Sequence, residues 1–367
     1  MKLKNLIACL FLGYAATSCI QDEALSSEAA IDACSGSDDI IMTDITIDTE
    51  ALKGNIDVYV NKGADLTKQP LKFTLSNGST INPVQSAYDF TRPIVFTVTS
   101  ENEKVKVPYT VDFIKKDLPT FFHFESAQLS ANKKYQLLFE GNKTDQQYLK
   151  WASGNPGFDL TGMGSTPSDY PTVQENNGKV GKAIKLETRN TGSFGAVANM
   201  HIAAGNLFVG TFDVANALKE PLKATKFGFP FYHKPLSLKG YYKYKAGSTF
   251  TVKGKPVSDR KDKCDIYAVF YETDNNLKML NGANSLNHPN IISIARIADQ
   301  EEPSDWKLFD LTFTSPQSGQ QIVIDEDKLK SGKYNLAIVF SSSIDGAYFE
   351  GAVGSTLYVD EVELKYE

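Results

Sequence analysis

The chain is short of the residues that make chemistry easy to read. Of 367 residues, 4 are cysteine, 4 are histidine and 2 are tryptophan. The cysteines, at 9, 19, 34 and 264, form no Cys-x-x-Cys and no zinc spacing, so a thiol redox pair and a zinc module are excluded. The histidines, at 123, 201, 233 and 288, lie far apart and form no His-Glu-x-x-His. There is no Gly-x-Ser-x-Gly. The Ser-x-x-Lys spacings at Ser130/Lys133, Ser258/Lys261 and Ser304/Lys307 lack the companion motifs of serine acyl enzymes and read as chance. Gly178-Lys179-Val180-Gly181-Lys182 lacks the spacing of a phosphate loop, and no Glu-x-Asp-x-x-Glu of laminarinase-like hydrolases occurs. Helical patterning is confined to Val214–Lys219 and Glu326–Lys330. Positive charge is also scarce: 38 Lys and Arg face 44 Asp and Glu, which argues against nucleic acid as a partner.

The one long apolar run is N-terminal. Lys2 and Lys4 precede Leu6 to Ala16, a stretch too short to span a bilayer. Ala16-Thr17-Ser18 before Cys19 resembles a lipobox, which makes residues 1–19 a lipoprotein signal peptide and Cys19 the lipidated residue; the alternative is an ordinary signal peptide cut elsewhere. Ile20-Gln21-Asp22-Glu23 resembles the acidic signal that sends such lipoproteins to the cell surface. The expectation is an outer-membrane protein, facing the exterior and touching the membrane through its lipid only. Removing residues 1–19 removes two Lys and no acid, leaving 36 basic against 44 acidic, a net of −8. Residues 20–39 are rich in Ser, Ala and acid, carry no Lys or Arg, and read as a flexible tether. Cys34 and Cys264 fall in different modules, so no bridge between them is expected.

What the chain has is period-2 alternation. In residues 40–118, Ile41, Ile45 and Ile47, then Ile56, Val58 and Val60, then Leu71, Phe73 and Leu75 each share a strand face. Val105, Val107, Tyr109, Val111 and Phe113 alternate against Lys104, Lys106, Thr110 and Asp112. Such spacing predicts an immunoglobulin-like sandwich. The run from Tyr88 to Phe113 is similar to spacer domains of gut surface lipoproteins. Lys115-Lys116-Asp117-Leu118-Pro119 reads as a boundary, and residues 120–367 as a second domain. Many strands and few helices there argue one larger β-sandwich, so the fold class is all-β throughout. Two long segments, Ser153 to Lys182 and Glu272 to Asn290, are candidates for functional loops.

Two stretches carry a further resemblance: SSSIDGAYFEGAVGSTLYVDEVEL, Ser341 to Leu364, and GFPFYHKPLSLKGYYKY, Gly228 to Tyr244. Together they resemble the putative carbohydrate metabolism domain family, lipoproteins of gut Gram-negative anaerobes, over roughly Phe121 to Glu367. The resemblance implies a jelly-roll sandwich akin to carbohydrate-binding modules and some sugar hydrolases, with a carbohydrate partner. It also implies one structural calcium held by Glu125 of Phe124-Glu125 and Asp360 of Val359-Asp360-Glu361-Val362. This chain has Asp-Glu where the pattern has Asp-Asp. The alternative is that both are ordinary polar strand residues paired with Lys.

Sugar C–H faces stack on rings while hydroxyls need planar polar partners, so the candidate ligand contacts are Trp151, Asn155, Arg189, His233, Tyr241, Lys243 and Asp265. Trp151 leads because it adjoins the glycine-rich 153–182 loop; core packing is the plain alternative for most of the rings. A hydrolase would need two carboxylates across a groove, drawn from Glu187, Asp265, Glu272, Asp345 and Glu350. A surface carbohydrate-binding lipoprotein is the primary expectation, with a glycoside hydrolase or a non-catalytic adhesin as alternatives, so whether the chain is an enzyme stays open here.

Overall fold

A computed structural model describes residues 25–50, 53–115, 117–142, 145, 147–299, 301–317 and 319–367. The signal peptide and Cys19 lie outside the described residues. Among the described residues no helix is long and apolar enough to cross a membrane. The fold is all-β, built as sandwiches of twisted sheets.

The N-terminal part comprises β1 (Ile31–Gly36), β2 (Thr46–Glu50), β3 (Lys53–Tyr59), β4 (Leu71–Leu75), β5 (Thr80–Asn82), β6 (Ile94–Thr99) and β7 (Lys106–Ile114). One sheet runs β2-β3-β7-β6-β5, with β3 and β7 parallel, and β1 pairs with β4 in a second. The alternation in β7 does what period 2 requires: Val107, Tyr109, Val111 and Phe113 face the core, where Phe113 stacks on Phe90 at 4.1 Å. The tether expected over residues 20–39 is corrected for its later half. Ala29 and Ile31 are buried, Ala30 N–H donates to Ser76 Oγ at 3.0 Å, and Ile31 to Gly36 pair with Leu75 to Leu71. The acidic composition hid one apolar anchor and an edge strand that an open sheet edge recruits.

The C-terminal part is a larger sandwich. Its first sheet runs β9 (Thr172–Glu175), β10 (Ala183–Glu187), β18 (Thr356–Tyr366), β13 (Pro235–Lys245), β16 (Lys307–Thr312), with β8 (Phe121–Phe122) also on β18. Its second runs β11 (Asn206–Phe208), β17 (Tyr334–Ser341), β14 (Asp265–Glu272), β15 (Ile291–Arg296), with β12 (Phe229–Pro230) on β17. The core lies between them: Leu238, Tyr242, Tyr244, Leu357 and Val359 from one side meet Ile266, Phe270, Leu336, Ile338 and Phe340 from the other. Burying such side chains stabilises by about 1.5–3 kcal/mol each.

The two parts are packed rather than strung. Tyr59 stacks on Phe229 at 4.0 Å, and Tyr59, Ile114 and Leu118 join the larger core. Around that contact, Lys150 pairs with Asp48 at 3.0 Å, Lys226 with Asp44 at 3.2 Å and Lys278 with Asp38 at 2.6 Å.

One difference between the sheets positions the site. β13 alternates buried and half-exposed residues, so its outer face is open. β14 and β17 are buried along nearly their whole length on both faces, as their continuous apolar runs require. What covers their outer face is the long loops.

A capped pocket on the second sheet

The outer face of the second sheet carries its own apolar cluster, including Phe208, Tyr267, Val269, Tyr271 and Val339. At one end of it lies a cavity of about 280 Å³. Asp265, Tyr267, Val339 and Ser341 form its floor, with Arg296 from β15. The walls come from chain outside the sheets. Gly154, Gly157 and Phe158 bring in α1 (Asn155–Asp159), Phe194 and Gly195 bring in α2 (Gly192–Val197), and Leu222 and Ala224 bring in α3 (Pro221–Ala224). Ser285 and Leu286 close one side, and Tyr348 and Phe349 the rim. Both loops singled out from the sequence, 153–182 and 272–290, thus line it. The lining is mainly apolar and aromatic, with few polar groups, which is the usual make-up of a small-molecule site.

The polar floor is one ion pair. Arg296 donates from Nε to Asp265 Oδ1 at 3.0 Å and from Nη2 to Oδ2 at 2.8 Å. The Asp265 side chain is 5% exposed and that of Arg296 36%. Burial pushes the Asp265 carboxyl above the usual carboxylate range, with Arg296 pulling it back. A guanidinium has five N–H donors, so after two go to Asp265 three remain to meet a ligand. Tyr267 sets its hydroxyl against Ser285 Oγ at 3.3 Å.

The rim is held by a second buried carboxylate. Asp262 Oδ2 accepts from Ser343 Oγ at 2.6 Å, Ser355 Oγ at 2.7 Å and Ala352 N–H at 2.7 Å. Thr188 Oγ1 bonds Ser343 Oγ at 2.6 Å and Ser342 Oγ at 2.7 Å. Burial raises the Asp262 carboxyl, and the three donors on Oδ2, with the Lys263 N–H on Oδ1 at 2.9 Å, oppose that rise. This network fixes the Ser341–Ala352 loop, in which Phe349 adopts a left-handed φ of 59°. Outside it, Arg260 bridges Asp345 at 2.6 Å and Glu350 at 3.3 Å.

Of the residues expected to touch ligand, Asp265 alone lines this cavity. Trp151 does not: it is 3% exposed, packs on Phe122, Phe124 and Phe340, and donates its indole N–H to Glu140 at 3.3 Å, so no ring face is left for a sugar. Asn155 is fully buried and clamps Thr172, donating to its carbonyl at 2.7 Å and accepting from its N–H at 3.1 Å; it shapes the wall without facing the cavity. Arg189 is spent on Glu187 at 2.8 Å and on the Ser168 carbonyl at 2.9 Å. His233 packs against Tyr366 at 4.3 Å near the N-terminal part, and burial lowers its pKa. Tyr241 and Lys243 sit on the outer face of the first sheet, on the far side of the sandwich. Glu187 and Glu272 are ion-paired to Lys185 and Lys328.

Glu125 and Asp360 do come together, on either side of the turn at 178–182. Asp360 Oδ2 accepts from Lys179 N–H at 2.6 Å and Val180 N–H at 3.0 Å, and Oδ1 accepts from Glu361 N–H at 2.8 Å. Glu125 Oε1 accepts from Lys182 N–H at 2.8 Å. Among the described residues no group of three or more His, Cys, Asp or Glu could hold a metal. Amide hydrogens meet both oxygens of Asp360 and Oε1 of Glu125, so a calcium ion would compete with them for these oxygens. In this arrangement the pair anchors the loop.

Sequence reasoning missed Arg296 and the rings Phe208, Phe212, Phe227 and Phe349. The signal for the first was partial: in β15, Ser293 and Ala295 face the core opposite Phe270 and Ala268, which puts Ile294 and Arg296 on the capped side, while a bulge sets Ile291 there too and Ile292 inward.

Comparison with known proteins agrees with this architecture. Residues 39–112 match the N-terminal domain described as SGBP, N-terminal. A solved structure from Bacteroides thetaiotaomicron, described as a putative glycoside hydrolase, is 46% identical, with a TM-score of 0.84 over 95% of this chain and 99% of that one. Another from Bacteroides vulgatus, described in the same words, is 45% identical, with a TM-score of 0.64 over 69% of this chain and 100% of that one. Among curated proteins nothing matches. The Putative carbohydrate metabolism domain matches residues 123–365, from the β8 edge to the end of β18, and the chain belongs to that family.

Proposed function

We propose that the protein is a surface glycan-binding lipoprotein, anchored in the outer membrane through Cys19, facing the exterior and serving a glycan-capture system. The capped pocket takes the sugar. The carrying observation is its lining: aromatic walls over a floor with one carboxylate, Asp265, already held bidentately by Arg296. That arrangement supplies stacking and a directed set of donors. It supplies no second carboxylate among the lining residues to act as base or nucleophile. A cavity of about 280 Å³ is at the small end for ligand sites, which suits the end of a glycan chain rather than a long internal stretch.

A hydrolase is the second reading, favoured by the descriptions of the two Bacteroides relatives. Its pair would be Asp265 and Asp345, which is near enough to push up the Asp265 pKa. Arg260 holds Asp345 away from free duty. The experiment is calorimetry and reducing-end release on the same samples, with the signal-free protein and a panel of plant and host polysaccharides. Heat without new reducing ends, lost in Tyr348→Ala and Phe349→Ala, supports binding. New reducing ends that vanish in Asp345→Asn replace it with the hydrolase. Silence in both assays with folded protein overturns the pocket as a glycan site.

A further inference from the structure

The open face of the first sheet carries a row that the pocket does not use. Lys185 on β10 lies opposite Tyr358 on β18, and Tyr358 lies opposite Lys243 on β13. The next strand continues it, because Tyr242 pairs with Lys307 and so Trp306 falls beside Lys243. The Lys243 ammonium sits 4.6 Å from the Trp306 ring centre and 4.8 Å from that of Tyr358. One turn away, Lys179 stands 5.0 Å over Tyr241. Tyr241, Tyr358 and Trp306 are all half-buried.

Two features set this row apart from ordinary surface. The first is charge. On the same sheet Lys239 has a carboxylate partner in Glu363 at 3.3 Å, and within the row Lys185 has Glu187 at 2.7 Å. Lys243 and Lys179 pair with no carboxylate among the described residues, in a chain whose net charge is −6. The second is geometry. A flexible lysine held between two rings is ordered before any ligand arrives, and the row spans three strand spacings, about 14 Å. Rings for the C–H faces of sugars and cations for their acidic groups alternate along it.

We propose that this row, Lys185–Tyr358–Lys243–Trp306 with Lys179 and Tyr241 beside it, is a second glycan site that takes an anionic sugar, bearing a carboxylate or a sulfate. The sugar stacks on Trp306 and Tyr358, and its acidic group meets Lys243. This site lies on the opposite outer face from the pocket and stands whether or not the pocket binds sugar.

The test is calorimetry on the full signal-free chain with three probes: a galacturonic acid hexamer, a κ-carrageenan hexasaccharide, which carries sulfate and no carboxylate, and neutral maltohexaose. At least one anionic probe is expected to bind, and maltohexaose is not expected to bind here. Raising NaCl from about 50 to about 300 mM should weaken the complex by screening. Lys243→Met, which keeps the stem and drops the charge, and Trp306→Ala should each weaken it at least about tenfold. Tyr348→Ala on the pocket rim should leave it unchanged. Uronate binding without sulfate binding assigns the carboxylate, and the reverse assigns the sulfate. Neither anionic probe binding, or equal binding by a folded Lys243→Met, overturns the proposal. Loss with Lys243→Met alone, Trp306→Ala being silent, overturns it as a sugar site and leaves plain charge attraction.

Discussion

The two outer faces of the larger sandwich are built on opposite plans. The first sheet shows water an alternating surface of Lys, Glu and Tyr. The second is roofed by three short helices and the loops around them, and its strands are apolar on both sides. An open face can offer only a platform, where binding rests on rings and charges already in place. A roofed face makes an enclosed site wherever the roof stops short, and here it does so at the polar end of β14 and β17, over Asp265 and Ser341. Enclosure also changes what a charge is worth. Lys243 is half-buried between two rings without a carboxylate partner among the described residues, whereas Asp265 and Asp262 are buried, the first tying β14 to β15 and the second holding the rim loop.

The largest expected effect tests that contrast directly. Arg296→Ala leaves Asp265 buried without its cation, and breaking such a pair costs about 3–5 kcal/mol. Lys243→Met on the open face should change stability by no more than about 0.5 kcal/mol. Denaturant unfolding of both variants measures the two numbers. Similar losses would mean the faces do not differ in the way described.

Next in size is the roof's own anchor. Ser343→Ala removes one of the donors on the Asp262 carboxylate and should cost about 1–3 kcal/mol near pH 7.5. The pH dependence has a definite sign. Burial raises the folded pKa of Asp262, so its contribution to stability is full below the unfolded value of 3.8 and declines as pH rises through the folded value. Losing a donor steepens that decline. The penalty of Ser343→Ala should therefore shrink when unfolding is measured near pH 4.5, and a constant penalty would point to packing instead.

The same contrast explains what could be read from the sequence. Open faces announce themselves by alternation, and β7 was legible residue by residue; β18 alternates too, but a register shift at Asp360–Glu361 turns Tyr358 outward and Val362 and Leu364 inward, which period 2 alone cannot give. Roofed strands were legible as strands, but their continuous apolar runs say only that both faces are covered, never by what. The roof itself, α2 and α3 above all, is made of short turns such as Gly192–Val197 and Pro221–Ala224, whose stability comes from tertiary contacts rather than propensity. Trp151 failed as a ligand contact because proximity to a glycine-rich loop in sequence does not decide which way a ring points; its strand neighbours turned it into the core. Asp265 is a candidate from its residue type alone; the structure shows it heading an apolar strand, where a buried charge must be paired. Arg296, 31 residues later, could be matched to it only once β14 and β15 were known to pair.

A smaller effect is expected at the sheet edge. His123 Nδ1 meets Glu361 Oε1 at 2.9 Å, and that hydrogen bond raises the His123 pKa. A raised histidine contributes stability that is complete below pH 6.5 and is lost as pH rises through the folded value. The imidazole is 50% exposed, so screening holds the effect under about 1 kcal/mol. Thermal unfolding of wild type and His123→Gln between pH 5.5 and 8 should show a gap at low pH that closes toward pH 8; a gap of fixed size would assign it to packing.

The smallest expected effect is none, and it bears on the open sheet's other edge. Asp360 and Glu125 hold the turn at 178–182 through three amide hydrogen bonds. That turn passes so close that a Cβ at Gly181, already at a φ of +58°, would stand 2.2 Å from Glu125 Oε1, and one at Gly178 would stand 2.7 Å from Asp360 Oδ2. A calcium ion between these carboxylates would need the amides turned away and carbonyl oxygens turned in. If the amides alone hold the turn, EGTA leaves the unfolding midpoint where it was and added CaCl2 does not raise it. A midpoint that falls with EGTA and returns with CaCl2 would show that this edge of the open face is organised by a cation, and the anchoring role given to Asp360 and Glu125 would pass to the metal.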